Sequence, residues 1–276
     1  MQANSKQIIL LAVLLNLATA GAFANNLKIE NLKIVPHNST TACFKFDISW
    51  DNSWRFPAGN DPLYFHDAVW VFFKIQEQGQ SAWQHVYFEG TGTNPPGCDI
   101  GAGTGIELVV PEDRVGFFVR RSPTAVGKGT TSVQGVKVVW NFATNGLTVN
   151  SKVNAKVFGV EMVYVAEGAF SVGDGMTDQG QLYEGGGGTN SFQITDAGPI
   201  TCGNTPGCLW GASQSGNTSM GGVGIISSNF PNGYNAFYCM KYEITQGQYK
   251  DFLNTLTFLQ DAARFPNSYN SNRHTI

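Results

Sequence analysis

The sequence predicts a mainly β protein with one α+β unit near its C-terminal end. Short runs of alternating apolar and polar residues recur along the chain with turn residues between them, which is typical of strands. A strand, a turn and a helix then follow one another over residues 237–256. The composition agrees, because 12% aromatic residues and 33 glycines in a chain of 276 residues indicate a well-packed, turn-rich protein.

The first 24 residues have the pattern of an export signal. Lys6 supplies the charged start, Ile8 to Leu17 form an apolar core, and Ala22-Phe23-Ala24 is a small-x-small site for cleavage after Ala24. The apolar run is too short for a comfortable membrane span, and no later run approaches one. We therefore expect a secreted, periplasmic or cell-surface protein with no transmembrane span in the mature chain. A retained N-terminal anchor is the alternative.

Residues 25–154 are expected to form a β-sandwich-like domain. Phe44, Phe46, Ile48 and Trp50 alternate with polar residues, so this strand should have one buried face. The run Val69 to Ile75 is apolar on both faces and should be a central strand. Turn-forming residues separate these and later runs, a pattern that favours a sandwich of short strands.

The charged residues and histidines of this domain are expected at structural or exposed positions and not in a binding site. The chain has 17 basic and 20 acidic residues and no basic stripe, which argues against a nucleic-acid partner. Arg120 and Arg121 are expected at a strand end. His66 beside Asp67, and the lone His85, have no further residues at metal-ligand spacing, so we expect structural or exposed histidines and predict no metal site.

Most tryptophans of the chain are expected to pack in the core. Trp50, Trp70, Trp83 and Trp140 lie on strand-like patterns, where a buried indole is the ordinary arrangement. An exposed tryptophan can instead stack on the apolar face of a sugar. Trp54, in a turn-like context, is the best candidate for that role.

Residues 155–276 are expected to form a second domain after a polar, turn-rich hinge at 141–154. A strand is predicted at Val157 to Val165, with Ala169 to Gly173 as its partner. Residues 173–224 are then dominated by Gly, Ser, Thr and Asn, which predicts a long surface loop with a short strand around Phe192 and Ile194. The run Gly185 to Gly188 is not a phosphate-binding loop, because no Lys-Ser/Thr pair follows it.

Five cysteines are present, and export makes disulfides feasible. Cys202 and Cys208 enclose a short loop of turn residues and form the most plausible bridge. Cys239 lies in a predicted strand and is expected to pack as a small apolar residue. No additional Cys or His near the pair supports a zinc site.

The clearest local structure is at Phe237 to Leu256. Its first residues alternate as in a buried or half-buried strand. Thr245 and Gln248 have the spacing of a capping box, in which each side chain accepts a hydrogen bond from a backbone N–H at the helix start. Apolar residues then follow at helical spacing, and the helix is expected to continue towards 262–264. The unit is therefore predicted to be a strand, a tight turn and a helix.

This segment resembles the signature of the formylglycine-generating enzyme family, the sulfatase-modifying-factor domains related to the ergothioneine-pathway iron enzymes. The residues that carry the resemblance are Phe237, Lys241, Tyr242, Glu243, Ile244, Thr245, Gln248, Tyr249 and Phe252. Upstream, Glu161 to Gly173 is similar to the opening strand pair of that domain. Ala166-Glu167 stands where the family has Pro-Gly, Val172 where it has Met, and Gln246 where Asn is common.

The resemblance covers only the beginning of the family's domain. It implies an incomplete C-type-lectin-like scaffold, preceded by a β-rich module of the kind found in some secreted bacterial proteins. Lys241, Glu243, Thr245, Gln248 and Tyr249 are family-signature positions to which no catalysis is assigned. Glu243 is expected to fix the turn before the helix.

The family's chemistry is not expected in this chain as written. Its copper-binding redox cysteines come from a later half of the domain, and none of the five cysteines here occupies those positions. The histidine cluster of the iron-dependent relatives is also absent, so we predict no catalytic residue. Calcium suits loop-rich scaffolds, but no cluster of Asp and Glu specifies a site.

Two hypotheses remain open from the sequence. In the first, a longer parent protein oxidises a protein cysteine with oxygen, and this chain itself is inactive. In the second, the chain is a non-catalytic module that binds a glycan or a protein at the cell surface, because a fold does not by itself decide function.

Overall fold

A computed structural model describes residues 25–58, 61–173, 182–187, 190–211, 223–262 and 264. This described part of the chain is mainly β, with 51% strand and two short helices. The expected export signal, residues 1–24, lies outside the described residues. Within the described ranges, no helix combines the length and the apolar character needed to cross a membrane.

Strands account for nearly all regular structure in the described chain. They are β1 (Lys28–Pro36), β2 (Thr41–Ala58), β3 (Asp61–Glu77), β4 (Gln84–His85), β5 (Gly92–Thr93), β6 (Ala102–Gly103), β7 (Ile106–Val110), β8 (Phe117–Arg121), β9 (Gly127–Asn141), β10 (Val153–Val165), β11 (Phe170–Val172), β12 (Leu182–Glu184), β13 (Phe192–Ile194), β14 (Ile200–Cys202), β15 (Leu209–Gly211), β16 (Gly224–Ile226) and β17 (Phe237–Met240). The helices are α1 (Gln246–Leu253) and α2 (Phe258–Ala262), and a 3-10 turn spans Phe142–Asn145.

One large, curled antiparallel sheet dominates the structure. Its main path runs β5-β7-β8-β3-β2-β9-β6. In addition, β1 pairs with β2. Both β4 and β10 pair with β3, and β17 pairs with β10. Strand β3 pairs with β2 near its start and with β10 from Asp67 to Glu77. This change of partner brings β10, and with it β17, beside the first part of the chain.

The predicted alternation in β2 is confirmed. Phe44, Phe46, Ile48 and Trp50 are each at most 2% exposed and lie in the main core. The ring of Phe44 stacks on that of Phe73 at 4.2 Å between centroids. Each fully buried side chain of this size stabilises the fold by about 1.5–3 kcal/mol, so these residues fix which face of the curled sheet is inside.

The predicted central strand at Val69 to Ile75 is confirmed as part of β3, which has β8 and β10 as neighbours. One face of this stretch is fully buried in the main core through Val69, Val71, Phe73 and Ile75. The other face carries Trp70, whose ring centroid lies 4.6 Å from that of Phe118, and Phe72, which stacks on Phe158 at 5.0 Å. β3 therefore has packed side chains on both faces.

The sheet is continuous across position 154, where a domain boundary was expected. β10 begins at Val153 and pairs with β3 as far as Val163. In the expected hinge, Phe142 and Leu147 are buried against the main core, and Trp140 Nε1 donates to Asn145 Oδ1 at 2.9 Å. The division at 154/155 stays a prediction, but the segment around it is packed against the sheet.

The glycine-rich region 173–224 contains more strand than the expected long loop. Its described parts form β12, β14 and β15, which join β16 in a four-stranded sheet. The predicted strand at Phe192 and Ile194 is confirmed as β13, which pairs with β11. The predicted pairing of Ala169 to Gly173 with Val157 to Val165 is wrong, because β10 pairs with β3 and β17 instead. The backbones approach closely here, because a Cβ on Gly185 would lie 2.4 Å from Gly203 O. The glycines thus permit packing of short strands, a use that composition alone does not reveal.

The C-terminal unit confirms the predicted strand, turn and helix. β17 is followed by α1, at whose start the Gln248 N–H donates to Thr245 Oγ1 at 3.2 Å and the Thr245 N–H donates to Gln248 Oε1 at 3.0 Å. The expected continuation of the helix to 262–264 is wrong. Thr255 Oγ1 donates back to Phe252 O at 2.7 Å, and α2 begins separately after Thr257.

Candidate functional site

Lys241, one of the positions that carry the resemblance, is a half-buried cation with structural contacts. Its Nζ lies 2.8 Å from Asp67 Oδ2 and 3.9 Å from Glu161 Oε2, and it donates to Asn52 O at 3.2 Å. The Lys241 side chain is 13% exposed and that of Asp67 only 1%. Since an uncompensated buried charge is strongly destabilising, this pair fixes the chain just after β17 against β3.

Asp67 is the centre of this half of the site. Besides Lys241, it accepts hydrogen bonds from Trp50 Nε1 at 3.2 Å, from Ser53 Oγ at 3.1 Å and from the Trp54 N–H at 2.8 Å. The acceptor capacity of the carboxylate is therefore used inside the fold. His66 and Asp67 are both buried, so of the two arrangements expected for this histidine, structural or exposed, the exposed one does not apply.

A second set of buried polar side chains lies next to this one. Glu107 Oε1 accepts from Arg55 Nη1 at 2.7 Å and from Arg120 Nε at 2.6 Å. Arg120 Nη1 lies 3.4 Å from both His66 Nε2 and Tyr238 Oη. Tyr238 Oη is 2.8 Å from His66 Nε2. We call both sets together the polar network, formed by Arg55, His66, Asp67, Glu107, Arg120, Glu161, Tyr238 and Lys241.

Aromatic rings enclose the polar network. Tyr238 stacks on Phe118 at 4.0 Å, and His66 stacks on Tyr164 at 4.8 Å. Burial raises the pKa of the Tyr238 phenol, and the nearby Arg120 guanidinium only partly opposes this. The phenol is therefore protonated at neutral pH. Tyr238 anchors β17 to β3 and β8 through both its ring and its hydroxyl.

The polar network is built for structure. Its groups bond to one another, and Lys241, with 13% of its side chain exposed, contacts Asp67 and Glu161. General acid–base or nucleophilic chemistry needs a group within hydrogen-bond reach of a substrate. The arrangement instead connects strands that are distant in sequence, and it holds β17 on β10.

The remaining signature positions lie outside the polar network. Thr245 and Gln248 cap α1, and Tyr249 Oη donates to Arg264 O. Glu243 is exposed, and in the described part of the chain it has no hydrogen bond or ion pair. No contact therefore supports the expectation that Glu243 fixes the turn before the helix.

An open groove lies between α1, β10 and the start of β1. Its volume is 490 Å³, which falls within the usual range of ligand pockets, about 300–1,000 Å³. We call it the apolar groove, because its lining is largely apolar: Leu27, Ile29, Phe72, Val157, Phe158, Gly159, Val160, Met240, Ile244, Gln248, Tyr249, Asp251 and Phe252.

Aromatic and aliphatic side chains shape the apolar groove. Phe252 of α1 meets Phe72 and Phe158 edge-on, each at 6.3 Å between centroids. Met240 and Ile244 remain 50% and 42% exposed although both belong to the groove lining. The signature segment thus contributes a wall of an accessible apolar surface as well as the half-buried Lys241.

All five cysteines are free thiols in the structure. Cys208 Sγ lies 3.2 Å from Thr205 Oγ1, and the bridge between Cys202 and Cys208 stays a prediction. Cys239 is exposed, so the expectation that it packs as an apolar residue is wrong. Side chains on an edge strand such as β17 can face solvent even when the strand pattern is apolar.

The described residues show no cluster of three or more metal-binding side chains. Copper(I) prefers soft sulfur ligands, and no group of three or more His, Cys, Asp or Glu side chains that could hold a metal ion occurs within the described ranges. The same finding provides no cluster for calcium among those residues.

No family model, curated protein or solved structure matches the chain. The resemblance to formylglycine-generating enzymes therefore stays a prediction from the motifs around Glu161 and Lys241.

Sequence reasoning missed most of the polar network. Arg55, Glu107 and Tyr238 were not singled out, and Arg120 was expected only at a strand end, where β8 indeed finishes. A usable signal existed, because charged residues are scarce in this protein and Glu107 and Arg120 stand inside apolar runs. Charges at such positions are almost never fully buried unless they are paired.

Proposed function

We propose that this protein is an exported, non-catalytic binding module that takes a protein partner in the apolar groove. The single observation that carries this proposal is the groove itself, 490 Å³ in volume and open beside the signature segment. Contiguous apolar surface that stays accessible is typical of interaction sites. The export pattern of residues 1–24 supports a partner at the cell surface or outside the cell.

The finer description of the fold belongs to the same proposal. We interpret the curled sheet and its single large core as a sandwich-like scaffold, and the unit after β10 as the beginning of a lectin-like domain. The continuity of β10 with both β3 and β17 supports one framework that carries both parts.

A protein partner is favoured over a glycan by the chemistry of the surface. A sugar needs polar groups around its rim, whereas the polar side chains of the groove are few, Gln248 and Asp251 among them. None of the six tryptophans, all of which lie in the described ranges, is exposed. Trp54, the best candidate for a sugar platform, is half-buried.

Cysteine oxidation by a longer parent protein has no support from the geometry of the described residues. Lys241 is paired with Asp67, and Thr245 and Gln248 cap a helix. Lys241, Thr245 and Gln248 therefore stabilise the fold, which agrees with a binding module built on this framework.

The test is selection of linear 12-residue peptides from a displayed library on the full chain, followed by affinity measurements with groove variants. Ile244→Asp places a charge in the groove at an already exposed position and should weaken the selected peptides by about tenfold or more. Ile225→Asp is the matched control, because Ile225 is exposed on β16 away from the groove.

Equal binding to the wild type and to Ile244→Asp would remove the groove from the proposal. A glycan array that yields a ligand whose binding Ile244→Asp abolishes would favour the glycan candidate over the protein one.

A further inference from the structure

One edge of β10 is only partly occupied. On one side β10 pairs with β3 from Val153 to Val163. On the other side β17 pairs with β10 only from Met162 to Val165. Within the described part of the chain, no strand pairs with this second edge between Val153 and Glu161.

The backbone groups on this open edge can be assigned from the pairing with β17. The Lys241 N–H donates to Glu161 O at 2.8 Å, so the backbone of Glu161 faces the β17 side. Backbone groups on one edge recur at every second residue of a strand, and β10 has no register shift against β3. Ala155, Val157 and Gly159 therefore direct their N–H and C=O groups to the open edge.

The apolar groove runs along this edge. Val157, Phe158, Gly159 and Val160 all line it, although successive side chains of a strand point to opposite faces. Consecutive residues of a strand share an edge but not a face. The open edge of β10 therefore forms the floor of the groove. Polar backbone groups thus line the floor of an otherwise apolar groove.

The two walls of the groove lie on opposite faces of β10. On one side Leu27 and Ile29 pack close to the strand, because a Cβ on Gly159 would lie 2.7 Å from Ile29 Cδ1. On the other side α1 presents Tyr249 and Phe252. An extended chain placed between these walls would meet apolar side chains on both of its faces.

We propose that the partner is an extended peptide segment with apolar side chains, which adds as a strand to the edge of β10 between Ala155 and Gly159. This inference rests on the proposed function and specifies how the partner binds. The added strand continues the row that β17 begins, so its backbone donors and acceptors meet those of Ala155, Val157 and Gly159. Its side chains alternate between the wall of Leu27 and Ile29 and the wall of α1.

Edge addition explains why the site combines apolar walls with unpaired backbone. Main-chain hydrogen bonds supply affinity in this mode, and side-chain pockets on alternate residues supply specificity. Water can bond to the edge of β10 in the free protein, whereas an apolar ligand without donors would leave these groups unpaired. An extended peptide can pack its side chains against the apolar walls and form hydrogen bonds with the backbone groups of the floor.

The experiment uses the full chain and the peptides selected from the displayed library. Val157→Pro removes an N–H that faces the open edge, where proline is tolerated because β3 does not use that donor. We expect peptide affinity to fall by about tenfold or more in Val157→Pro. Val157→Thr keeps the N–H and the β-branched shape, so it should lose clearly less affinity than Val157→Pro.

A scan of N-methyl groups along the peptide backbone tests the same geometry without altering the protein. Sensitivity should alternate, with strong loss of binding at every second residue. If Val157→Pro does not fold, the N-methyl scan alone shows whether the peptide adds as a strand.

Each other result overturns the inference in a distinguishable way. Peptides that need Ile244 but are indifferent to Val157→Pro and to N-methylation would bind in the groove without adding a strand, which leaves the proposed function standing. Peptides whose binding is also unchanged by Ile244→Asp would contradict both the strand addition and the proposed function. A concentration-dependent dimer that Val157→Pro abolishes would identify a second copy of this chain as the occupant of the edge.

Discussion

Lys241 Nζ lies 2.8 Å from Asp67 Oδ2, which joins residues 174 positions apart in the sequence. The Asp67 side chain is buried and that of Lys241 is half-buried, and the pair connects the residue just after β17 with the middle of β3. The signature segment is therefore part of the framework of the large sheet.

Lys241→Met should lower the free energy of unfolding by about 3–5 kcal/mol, because it leaves the buried Asp67 carboxylate without its cation. Chemical denaturation of the variant and the wild type measures this change. Lys137→Met is the control: the Lys137–Asp99 pair is exposed, at 36% and 49% of the side chains, and its loss should cost less than about 1 kcal/mol. Equal effects of both substitutions would contradict a structural role for Lys241.

Tyr238→Phe should destabilise the protein by about 1–3 kcal/mol, since it removes the hydroxyl that meets His66 and Arg120 while keeping the ring stacked on Phe118. Thermal and denaturant unfolding measure the effect. Tyr242→Phe removes an exposed hydroxyl and should have little effect. If Tyr238→Phe is as stable as the wild type, the hydroxyl is not part of the packed network.

Glu161 should make stability depend on pH. Its burial raises the pKa of the carboxyl above the ordinary value of 4.5, although Asn25 and Lys241 oppose the shift. The folded state then binds this proton more tightly than the unfolded state. The resulting stabilisation is present below the unfolded pKa and is lost as pH rises through the folded pKa.

Glu161→Gln isolates that contribution. The free energy of unfolding of the wild type minus that of the variant should fall as pH rises from about 4 to 7. Urea denaturation at several pH values gives this difference directly. A difference that stays flat with pH would show that the Glu161 carboxyl titrates alike in the folded and unfolded states.

Thiol labelling of the native, reduced protein should separate Cys239 from Cys43. Cys239 is exposed, whereas Cys43 is buried and its burial raises the pKa of the thiol. Since the thiolate is the reactive form, iodoacetamide should modify Cys239 rapidly and Cys43 only after unfolding. Mass spectrometry of the labelled peptides provides the rates. Similar rates for the two would contradict the packing of Cys43.

Oxidation should join Cys202 to Cys208, which enclose a short loop between β14 and β15. Peptide mapping without reduction should recover the two residues in one cross-linked peptide. Reduction should then cost about 2 kcal/mol, because the bridge closes a loop of only a few residues in the unfolded chain. Pairing of either cysteine with a different thiol would refute this prediction.

Local patterns predicted local structure well. The alternation at Phe44 to Trp50 predicted β2, and the spacing of Thr245 and Gln248 predicted the start of α1, because each depends on residues close in sequence. The early end of α1 was missed, although Thr257 and Gln260 repeat the Thr-x-x-Gln spacing that marked its start.

Contacts between residues that are distant in the sequence could not be predicted from local patterns. Nothing near Lys241 indicates that its partner is Asp67, since that contact depends on the order and register of β3, β10 and β17. The open edge of β10 has the same origin. The apolar run at Val157 to Val160 predicts a strand, but strand order alone decides whether its second edge is covered.

The position of Tyr238 and Lys241 late in the chain sets an order for folding as the chain is synthesised. β2 and β3 emerge first and can form their hairpin, but the environment of His66 and Asp67 is completed only when β17 arrives. Contacts across such long sequence separations form slowly, because the intervening loop must close before they are gained. The first half of the protein therefore passes through a state in which its interior charges still meet water, and a chaperone or a protease acting on that state would encounter β3 before its last partner.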